Sequence, residues 1–489
     1  MGYLEILDTY HDEMLKELGE SVSKPSVLSA AVKTADGEVL PFGRGVHDAF
    51  MHMLGLGKKL GFGTVNSDNY GGHIEFPAAD ETVIDEDGNV KKADTFGIVA
   101  HLDVVPEGTG WTGEPFVMSE KEGFVYGRGV SDDKGPAIAC LYAMKALKES
   151  GFEPEKNIRL ILGLDEETEK IGMTHYLEKV GGPDMGFTPD ADFPLVNGEM
   201  GILIFDIAQK LTRQPAGDGL RLTKMEAGTA PNAVPRTAKV VITADAALYD
   251  VVKDRIAQYT LETGYDVRGK KQGPSMVIEA YGVAAHGAHP ELGLNAISIL
   301  MDFLGRLQFN NEEINDFVEF YNNCIGFDLH GERMGCEMSD EPSGPLVFNV
   351  GMAMINEDIA QVTINIRYPV SSTDVEVYAG IEEILKDSKL GIVKNYHEGP
   401  IYMDMSNPMV AGLLGAYREE TGDNEAMPFV IGGGTYAKMV KNTLAFGAQF
   451  PGEENTMHQA DEKLAVDSLF SMARIYARAL HSLCGKNAE

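Results

Sequence analysis

The chain has few basic residues for its size. Its 489 residues include 41 Lys and Arg against 75 Asp and Glu, so the formal net charge at pH 7 is −34. A surface with this excess of negative charge repels phosphate backbones and anionic lipid, which argues against nucleic-acid and membrane partners. The acidic residues are dispersed along the chain, which is not typical of an acidic tail that binds a partner.

Cysteine, tryptophan and long apolar runs are also scarce, with four cysteines and one tryptophan in all. The cysteines are Cys140, Cys324, Cys336 and Cys484. They form no CxxC pair, so we expect free thiols in a reducing cytoplasm and no cysteine among any metal ligands. No apolar stretch approaches the roughly 18 residues that span a bilayer. The opening MGYLEILDTYHDEMLKEL is not typical of a signal peptide, so we expect a cytoplasmic protein.

The length and the order of predicted elements indicate an interrupted domain. A chain of this length is too long for one core and favours two or three domains. Residues 1–199 predict alternating strands and helices, and residues 401–489 resume that pattern. Residues 200–400 instead predict α+β layers, with helices near 246–264, 292–307 and 374–387. We therefore predict an α/β domain, built on a mixed β-sheet flanked by helices, that is interrupted by an inserted α+β domain.

Five short segments supply carboxylate or imidazole groups beside glycine, proline or apolar residues. They are AHLDVVP (100–106), GRGVSDDKG (127–135), GLDEET (163–168), TPDADFP (188–194) and NTMHQADE (455–462). Borderline cations such as zinc prefer this mixture of ligands, and two cations need a ligand that bridges them. Several segments follow predicted strands, and ligands of open α/β sheets gather outside the carboxyl ends of strands. Together they predict a two-metal centre.

The first two segments leave alternatives open. His101 and Asp103 alternate along the predicted strand TFGIVAHLDVV (95–105), so we expect both on one face with Leu102 opposite. A buried His–Asp hydrogen bond without a metal is the alternative interpretation. Asp132 and Asp133 precede a predicted helix, so either could be its N-cap instead of a ligand.

The remaining segments pose similar choices. Glu166 and Glu167 are adjacent at the end of an apolar strand, so their side chains diverge and two roles, ligand and general base, are open to them. A solvated start of a helix is the alternative. Asp190 and Asp192 compete for the next ligand position. His458 follows a polar loop and can project its imidazole into a cleft.

Taken together, these motifs resemble the M20 family of metallopeptidases. The likeness is greatest to its monomeric bacterial dipeptidases of the PepV type. That narrower likeness depends on further matches at PFGRGVHDAF (41–50), DNYGGHIEF (68–76), TPDADFPLVNGEMG (188–201) and IGGGTYAK (431–438). The resemblance covers nearly the whole chain.

The resemblance implies a role for each residue of the centre. One metal would take His101 and Asp190, the other would take Glu167 and His458, and Asp132 would bridge them. Asp103 would accept the second imidazole N–H of His101 and so set its tautomer. Glu166 would be the general base. The resemblance also implies a cis peptide bond between Asp132 and Asp133.

The inserted domain would be the lid of the family, here doubled into two related α+β subdomains. Such a doubled lid mimics a dimer partner, so we expect a monomer. Asn232 and His286 match lid residues that reach the scissile carbonyl. Arg367 lies on an apolar strand, where an unpaired cation is costly unless an acid or a ligand carboxylate neutralises it. The resemblance favours a ligand carboxylate, to which Gly434 and Thr435 would also donate.

The function implied is a zinc-dependent dipeptidase that acts on small peptides with a free C-terminal carboxylate. It would hold two zinc ions, with manganese or cobalt as alternatives, and a water bridging the ions would attack the peptide bond. One alternative is an N-acyl amino-acid deacylase of the same clan, which the motifs do not separate from a dipeptidase. Another is a non-catalytic descendant that binds peptides, which the complete ligand set argues against.

Overall fold

The computed structural model describes residues 1–84, 89–213, 215 and 217–485. The chain divides into two compact units, and the second interrupts the first in sequence. The first unit comprises Met1–Gly198, Tyr402–Phe429 and Gly434–Glu489, and the second comprises Glu199–Ile401 and Val430–Gly433. Among the described residues, no helix combines the length and the apolar character that a membrane crossing requires.

A mixed β-sheet forms the centre of the first unit. In spatial order its strands are Ile401–Tyr402, Val196–Glu199, Thr443–Ala445, Met185–Thr188, Thr95–His101, Asn157–Gly163, Gly71–Phe76 and Gly63–Ser67, with Phe429–Ile431 beside Val196–Glu199. The strands from Thr443–Ala445 to Asn157–Gly163 are parallel, and antiparallel strands continue the sheet on both sides. The predicted mixed sheet is confirmed.

Helices cover both faces of this sheet. The helices of the first unit are Tyr3–Leu7, His11–Val22, Arg44–Lys59, Lys134–Glu149, Ile171–Val180, Pro408–Thr421 and Val466–Cys484. Lys134–Glu149 is buried at every position from 134 to 147, which explains why its sequence is apolar on all sides. Alternate residues of each strand point to opposite faces, so Ile98 packs into the main core while Val99 packs against Tyr176 on the other face.

The parallel strands bring the chemically active segments to one edge. Thr95–His101, Asn157–Gly163 and Met185–Thr188 are neighbours and run in the same direction, so their carboxyl ends lie together. The strand predicted over 95–105 is wrong at its end, because the structure ends it at His101. The N–H of Leu102 still bonds to the carbonyl of Gly163, and Leu102 lies in the same core as Ile98 and Ala100, so the predicted alternation continues past the end of the strand.

The second unit is an antiparallel sheet packed against helices. In spatial order its strands are Asp266–Gln272, Ser275–Tyr281, Thr237–Thr243, Arg221–Ala227, Val347–Ile355, Ile359–Tyr368, Gly201–Lys210 and Gly391–Glu398. Its helices are Ala246–Thr263, Ala296–Leu304, Glu312–Cys324 and Asp374–Leu385. The helix Glu312–Cys324 was not predicted from the sequence.

The two halves of this sheet have the same spatial arrangement of strands, although the central strand comes last in sequence in one half and first in the other. They meet where Arg221–Ala227 pairs with Val347–Ile355. In each half, two strands joined by a helix lie on either side of a central strand. The central strand is antiparallel to both of these strands. The central strands are Ser275–Tyr281 and Gly201–Lys210. A common origin of the two halves, as two related subdomains, stays a prediction.

Candidate metal centre

The five predicted ligands converge in the first unit. His101, Asp132 and Asp190 form one group, and Asp132, Glu167 and His458 form a second. Within each group, one ligand atom of every residue lies within 4.8 Å of the others. Asp132 belongs to both groups. Asp192 is in neither, and the bond between Asp132 and Asp133 is a cis peptide, as the sequence comparison implied.

Asp132 lies between the two imidazoles. Its Oδ1 is 2.9 Å from Nε2 of His101, and its Oδ2 is 2.9 Å from Nε2 of His458. On the outer sides, Oδ2 of Asp190 is 3.6 Å from the same His101 nitrogen, and Oε1 of Glu167 is 3.0 Å from that of His458. A carboxylate with one oxygen toward each group is the arrangement that bridges two cations.

The donor atoms fit a pair of metal ions. Nε2 of His101 and Oδ1 of Asp132 are buried and 2.9 Å apart, yet neither makes a hydrogen bond of acceptable geometry. Buried polar atoms in folded proteins are almost always satisfied, so two that converge without hydrogen bonds point to a shared cation. Imidazole nitrogen and carboxylate oxygen are the ligands that zinc and related divalent ions prefer.

The electrostatics of the cluster favour positive charge. Burial, followed by the negative charge of Asp132, raises the pKa of Asp190 well above its ordinary value. Burial also raises the pKa of Glu167, although His458 opposes the rise. Hydrogen bonds to Asp132 and Glu167 raise the pKa of His458 to about 10. The carboxylates therefore hold a proton on an imidazole where no cation neutralises them, and divalent ions would relieve the same repulsion.

Both the main chain and the carboxylate of Asp103 lie near the imidazole of His101. Nδ1 of His101 lies 2.9 Å from the main-chain oxygen of Asp103 and 3.5 Å from its carboxylate. Since a carbonyl oxygen only accepts, Nδ1 carries the hydrogen and Nε2 keeps its lone pair for a metal. The carboxylate of Asp103 accepts the main-chain N–H groups of Glu166 and Glu167, each at 3.1 Å. These two bonds tie the residue after Leu102 to the segment that carries Glu166 and Glu167.

Glu462 is a functional candidate that sequence reasoning missed. Its side chain is fully buried and joins the loop of Asp132 to the segment that carries His458. Its carboxylate accepts from Nη1 of Arg128 at 2.8 Å and from the main-chain N–H groups of Gly129, Ser131 and Asp132 at 3.0, 2.9 and 3.3 Å. Two signals were available in the sequence: an acidic residue four positions after His458, and an arginine between two glycines in the segment 127–135.

The loop of His458 has an unusual backbone. His458 and Asp461 have φ values of 62° and 57°, a left-handed conformation that is uncommon outside glycine. The carboxylate of Asp461 accepts from the N–H and the hydroxyl of Thr112 at 2.8 and 2.7 Å. These bonds tie the loop to a second segment and hold a conformation that such residues seldom adopt unaided.

Glu166 and Glu167 point to different partners, as their adjacency predicted. Glu167 faces His458, whereas a carboxylate oxygen of Glu166 is 2.7 Å from Nζ of Lys170, four residues later. The side chains of Glu166 and Lys170 are 11% and 16% exposed, so this ion pair is largely shielded from water. Lys170 was not singled out from the sequence.

His286 and Asn232 lie together in the second unit. The backbone pair Ala233 with His286 joins their segments, and both side chains are exposed. Nδ1 of His286 accepts the N–H of Ala288 at 3.2 Å, so a neutral ring carries its hydrogen on Nε2. Desolvation lowers the pKa of His286, and the positive charges of Arg367 and His289 lower it further. The neutral ring is therefore favoured and offers an N–H donor.

Arg367 is buried in the second unit, with 5% of its surface exposed. Its Nε makes no hydrogen bond, and burial lowers its pKa to about 10 although Glu398 acts to raise it. Glu398 is thus an acid that offsets part of the charge. A Cβ built on Gly432 would lie 3.1 Å from Cβ of Ala288 and 3.7 Å from Cγ of Arg367, so the glycine run packs beside this arginine.

Gly434 and Thr435 belong to the first unit, apart from Gly432 and Gly433. The hydroxyl of Thr435 accepts the N–H of Ala437 at 3.1 Å and caps the short helical turn Tyr436–Lys438. This capping bond gives Thr435 a structural role that the sequence reading did not include. The assignment of Gly434 and Thr435 to a substrate carboxylate stays a prediction.

Comparisons with known proteins match residues 97–482 to the peptidase family M20/M25/M40. The Beta-Ala-Xaa dipeptidase of Lactobacillus delbrueckii subsp. lactis is 34% identical over 489 residues, covering 99% of this chain and 98% of the relative. The structure of aminoacylhistidine dipeptidase from Vibrio alginolyticus aligns at a TM-score of 0.55 and 14% identity, covering 97% of each chain. Human carnosine dipeptidase 1 aligns at 0.53 and 14%, covering 98% of this chain and 97% of the other. At such identities the structural likeness shows the fold alone.

Replacing Glu462 should weaken metal binding without touching a ligand. Glu462→Gln removes the charge that holds Arg128 and places amide hydrogens against main-chain N–H groups, so the loop of Asp132 loses its fixed position. Changes to such supporting groups lower metal affinity by about 10–100-fold. Zinc titration against a competing chelator measures the effect, with Glu454→Gln, an exposed acid of the same loop, as the matched control. Equal affinity in both variants would contradict the positioning role.

Proposed function

Because the chain belongs to the peptidase family M20/M25/M40, we propose that it is a zinc-dependent dipeptidase acting on dipeptides with a free C-terminal carboxylate. The observation that carries the proposal is Asp132, whose two oxygens face two separate imidazole–carboxylate groups. The full-length similarity to a dipeptidase at 34% identity supports the choice of a small peptide as substrate. A monomeric state and a cytoplasmic location stay predictions.

The residues that would hold the metals follow from the two groups. His101 and Asp190 would bind one zinc ion, Glu167 and His458 the other, and Asp132 both. When bound there, two divalent cations would supply Lewis acidity, which would polarise a peptide carbonyl and lower the pKa of water. Manganese and cobalt accept the same ligands.

Glu166 is the proposed general base. Glu166 directly precedes the ligand Glu167 in sequence, but its carboxylate faces Lys170 and belongs to neither metal group. In this role Glu166 takes a proton from the attacking water and delivers it to the nitrogen of the leaving amine. The ion pair with Lys170 holds the carboxylate in a single position, which such a transfer requires.

The second unit supplies the proposed contacts to the substrate. Nε2–H of His286 and the amide of Asn232 would donate hydrogen bonds to the carbonyl oxygen, on which negative charge develops in the transition state. Arg367 would bind the C-terminal carboxylate. Its buried guanidinium carries an unsatisfied Nε, and a carboxylate ligand would provide the acceptor.

A substrate panel tests the proposal directly. The zinc-loaded protein is incubated with dipeptides, their C-terminal amides, tripeptides and N-acyl amino acids, and release of amino acids is measured. We expect dipeptides with a free C-terminus to be hydrolysed best. Preference for N-acyl amino acids would identify a deacylase instead, and binding of peptides without hydrolysis would identify a non-catalytic binder.

Substituting the two adjacent glutamates should separate catalysis from metal binding. Glu166→Ala should keep both zinc ions but lower kcat by about 10²–10⁴-fold, because it removes the general base. Glu167→Ala should instead lose zinc, because it removes a ligand. Zinc content and kcat are measured on the same preparations. A Glu166→Ala protein with near-native kcat would place the base elsewhere.

Arg367 should determine whether a free C-terminus is required. Leaving a buried cation without its partner costs about 2–5 kcal/mol, which is about 30- to several-thousand-fold in kcat/KM. Dipeptide amides should therefore be poor substrates of the native protein, and Arg367→Ala should narrow the difference between acid and amide. Arg268→Ala, which removes an exposed arginine of the same unit, is the control and should keep the difference. Equal hydrolysis of acid and amide by the native protein would refute the role.

A further inference from the structure

Asn349 is a buried polar residue that no step of the proposed reaction uses. It lies in the strand Val347–Ile355 of the second unit with 1% of its surface exposed. Its Nδ2 donates to the carbonyl of Pro231 at 2.9 Å and to that of Ala233 at 3.1 Å. These carbonyls belong to the residues immediately before and after Asn232. One side chain therefore holds the backbone on both sides of a proposed substrate contact.

The segment of Asn232 has little other support of its own. It forms a ladder of two residues, in which Ala233 pairs with His286 and Val234 with Ala285, and the N–H of Gly287 bonds to the carbonyl of Asn232 at 2.7 Å. A ladder this short is marginal alone. The side chain of Asn232 is exposed, so packing does not fix it.

The backbone of the strand Val347–Ile355 lies close to the segment of Asn232. A Cβ on Gly351 would lie 2.2 Å from the carbonyl oxygen of Pro231, so only glycine allows the approach. The Oδ1 of Asn349, by contrast, has no hydrogen-bond partner. A buried polar atom without a partner is costly, and an apolar side chain of similar size would avoid that cost. The two hydrogens of the amide are thus what the position requires.

We propose that Asn349 is a positioning residue, which sets the backbone around Asn232 and so aims the Asn232 amide at the substrate carbonyl. The proposal rests on the proposed function. A donor that acts on developing charge stabilises the transition state more than the bound substrate. Loss of Asn349 should accordingly lower kcat and leave KM nearly unchanged.

Asn365 provides a matched control. It is the register partner of Asn349 on the neighbouring strand, it is fully buried, and its Oδ1 also has no partner. Its Nδ2 donates to the carbonyl of Leu203 at 3.1 Å, so it joins two strands of the sheet and does not contact the Asn232 segment. Asn349→Ser and Asn365→Ser each remove one buried amide, but only the first releases the segment.

The first measurement is hydrogen exchange of the full-length, zinc-loaded protein. Asn349→Ser should raise exchange at Asn232, Ala233, Val234 and Gly287, whereas Asn365→Ser should leave these amides as in the native protein. This result does not depend on the substrate, so it tests the positioning even if the dipeptide assay fails. Equal exchange of the segment in both variants would overturn the proposal.

The second measurement is the kinetics of dipeptide hydrolysis, with zinc content and Tm determined alongside. Removing an oxyanion donor costs about 10²–10³-fold in kcat, so we expect Asn349→Ser to lose at least about tenfold, with KM within about threefold and zinc retained. Asn349→Asp, which keeps the size but not the hydrogens, should lose as much. Asn365→Ser should keep kcat within about threefold.

A double substitution identifies the path of the effect. In an Asn232→Ala protein, adding Asn349→Ser should lower kcat by less than about threefold further, because the residue it positions is already absent. Fully additive losses, or equal losses in the Asn349 and Asn365 variants at similar Tm, would assign Asn349 a general structural role. Absence of dipeptide hydrolysis by the native protein would refute the proposed function and leave the exchange result to decide the positioning.

Discussion

The candidate metal centre depends on buried carboxylates that accept main-chain N–H groups from other segments. Such bonds are charge-assisted and stronger than those between neutral groups, and they join pieces of chain that no shared element connects. Asp133 accepts the N–H of His101 at 3.0 Å, Asp103 those of Glu166 and Glu167, and Glu462 those of Gly129, Ser131 and Asp132. None of these three acids belongs to the ligand groups, so the supporting acids and the ligand acids are different residues.

The sheet alone would not assemble this site. Parallel pairing aligns the strand that ends at His101 with the strands that precede Asp165 and Asp190, but Asp132 and His458 lie in loops. The buried ion pair of Arg128 with Glu462 connects those loops across 334 positions of sequence. A buried ion pair is weak support for stability but can specify one arrangement. Here it specifies where Asp132 stands relative to His458.

Two of the buried polar groups without partners in the second unit belong to residues with a proposed role. Nε of Arg367 and Oδ1 of Asn349 are both buried and both lack hydrogen bonds. Folded proteins leave few buried polar atoms without hydrogen bonds, so each of these two atoms calls for an explanation. For Arg367 a ligand carboxylate would satisfy the atom. For Asn349 the two hydrogen bonds that Nδ2 donates offset the cost of leaving Oδ1 without a partner.

Local patterns in the sequence were sufficient for the mixed sheet flanked by helices and for the five segments that converge, whereas the family resemblance selected Asp132, Glu167 and Asp190 over the neighbouring acids. Strand ends, adjacent acids and glycine-bracketed loops are short-range signals. The order of the five segments along the chain indicated that they belong to one site. The contacts of Asp103 and Glu462 were decided by tertiary structure only, whereas Lys170 and Thr435 contact residues four and two positions away. The carboxylate of Asp103 accepts from residues 63 and 64 positions away, and Glu462 and Asn349 act on residues 330 and 118 positions away. Hydrogen bonds at that separation depend on how loops pack, and local periodicity carries no information about it.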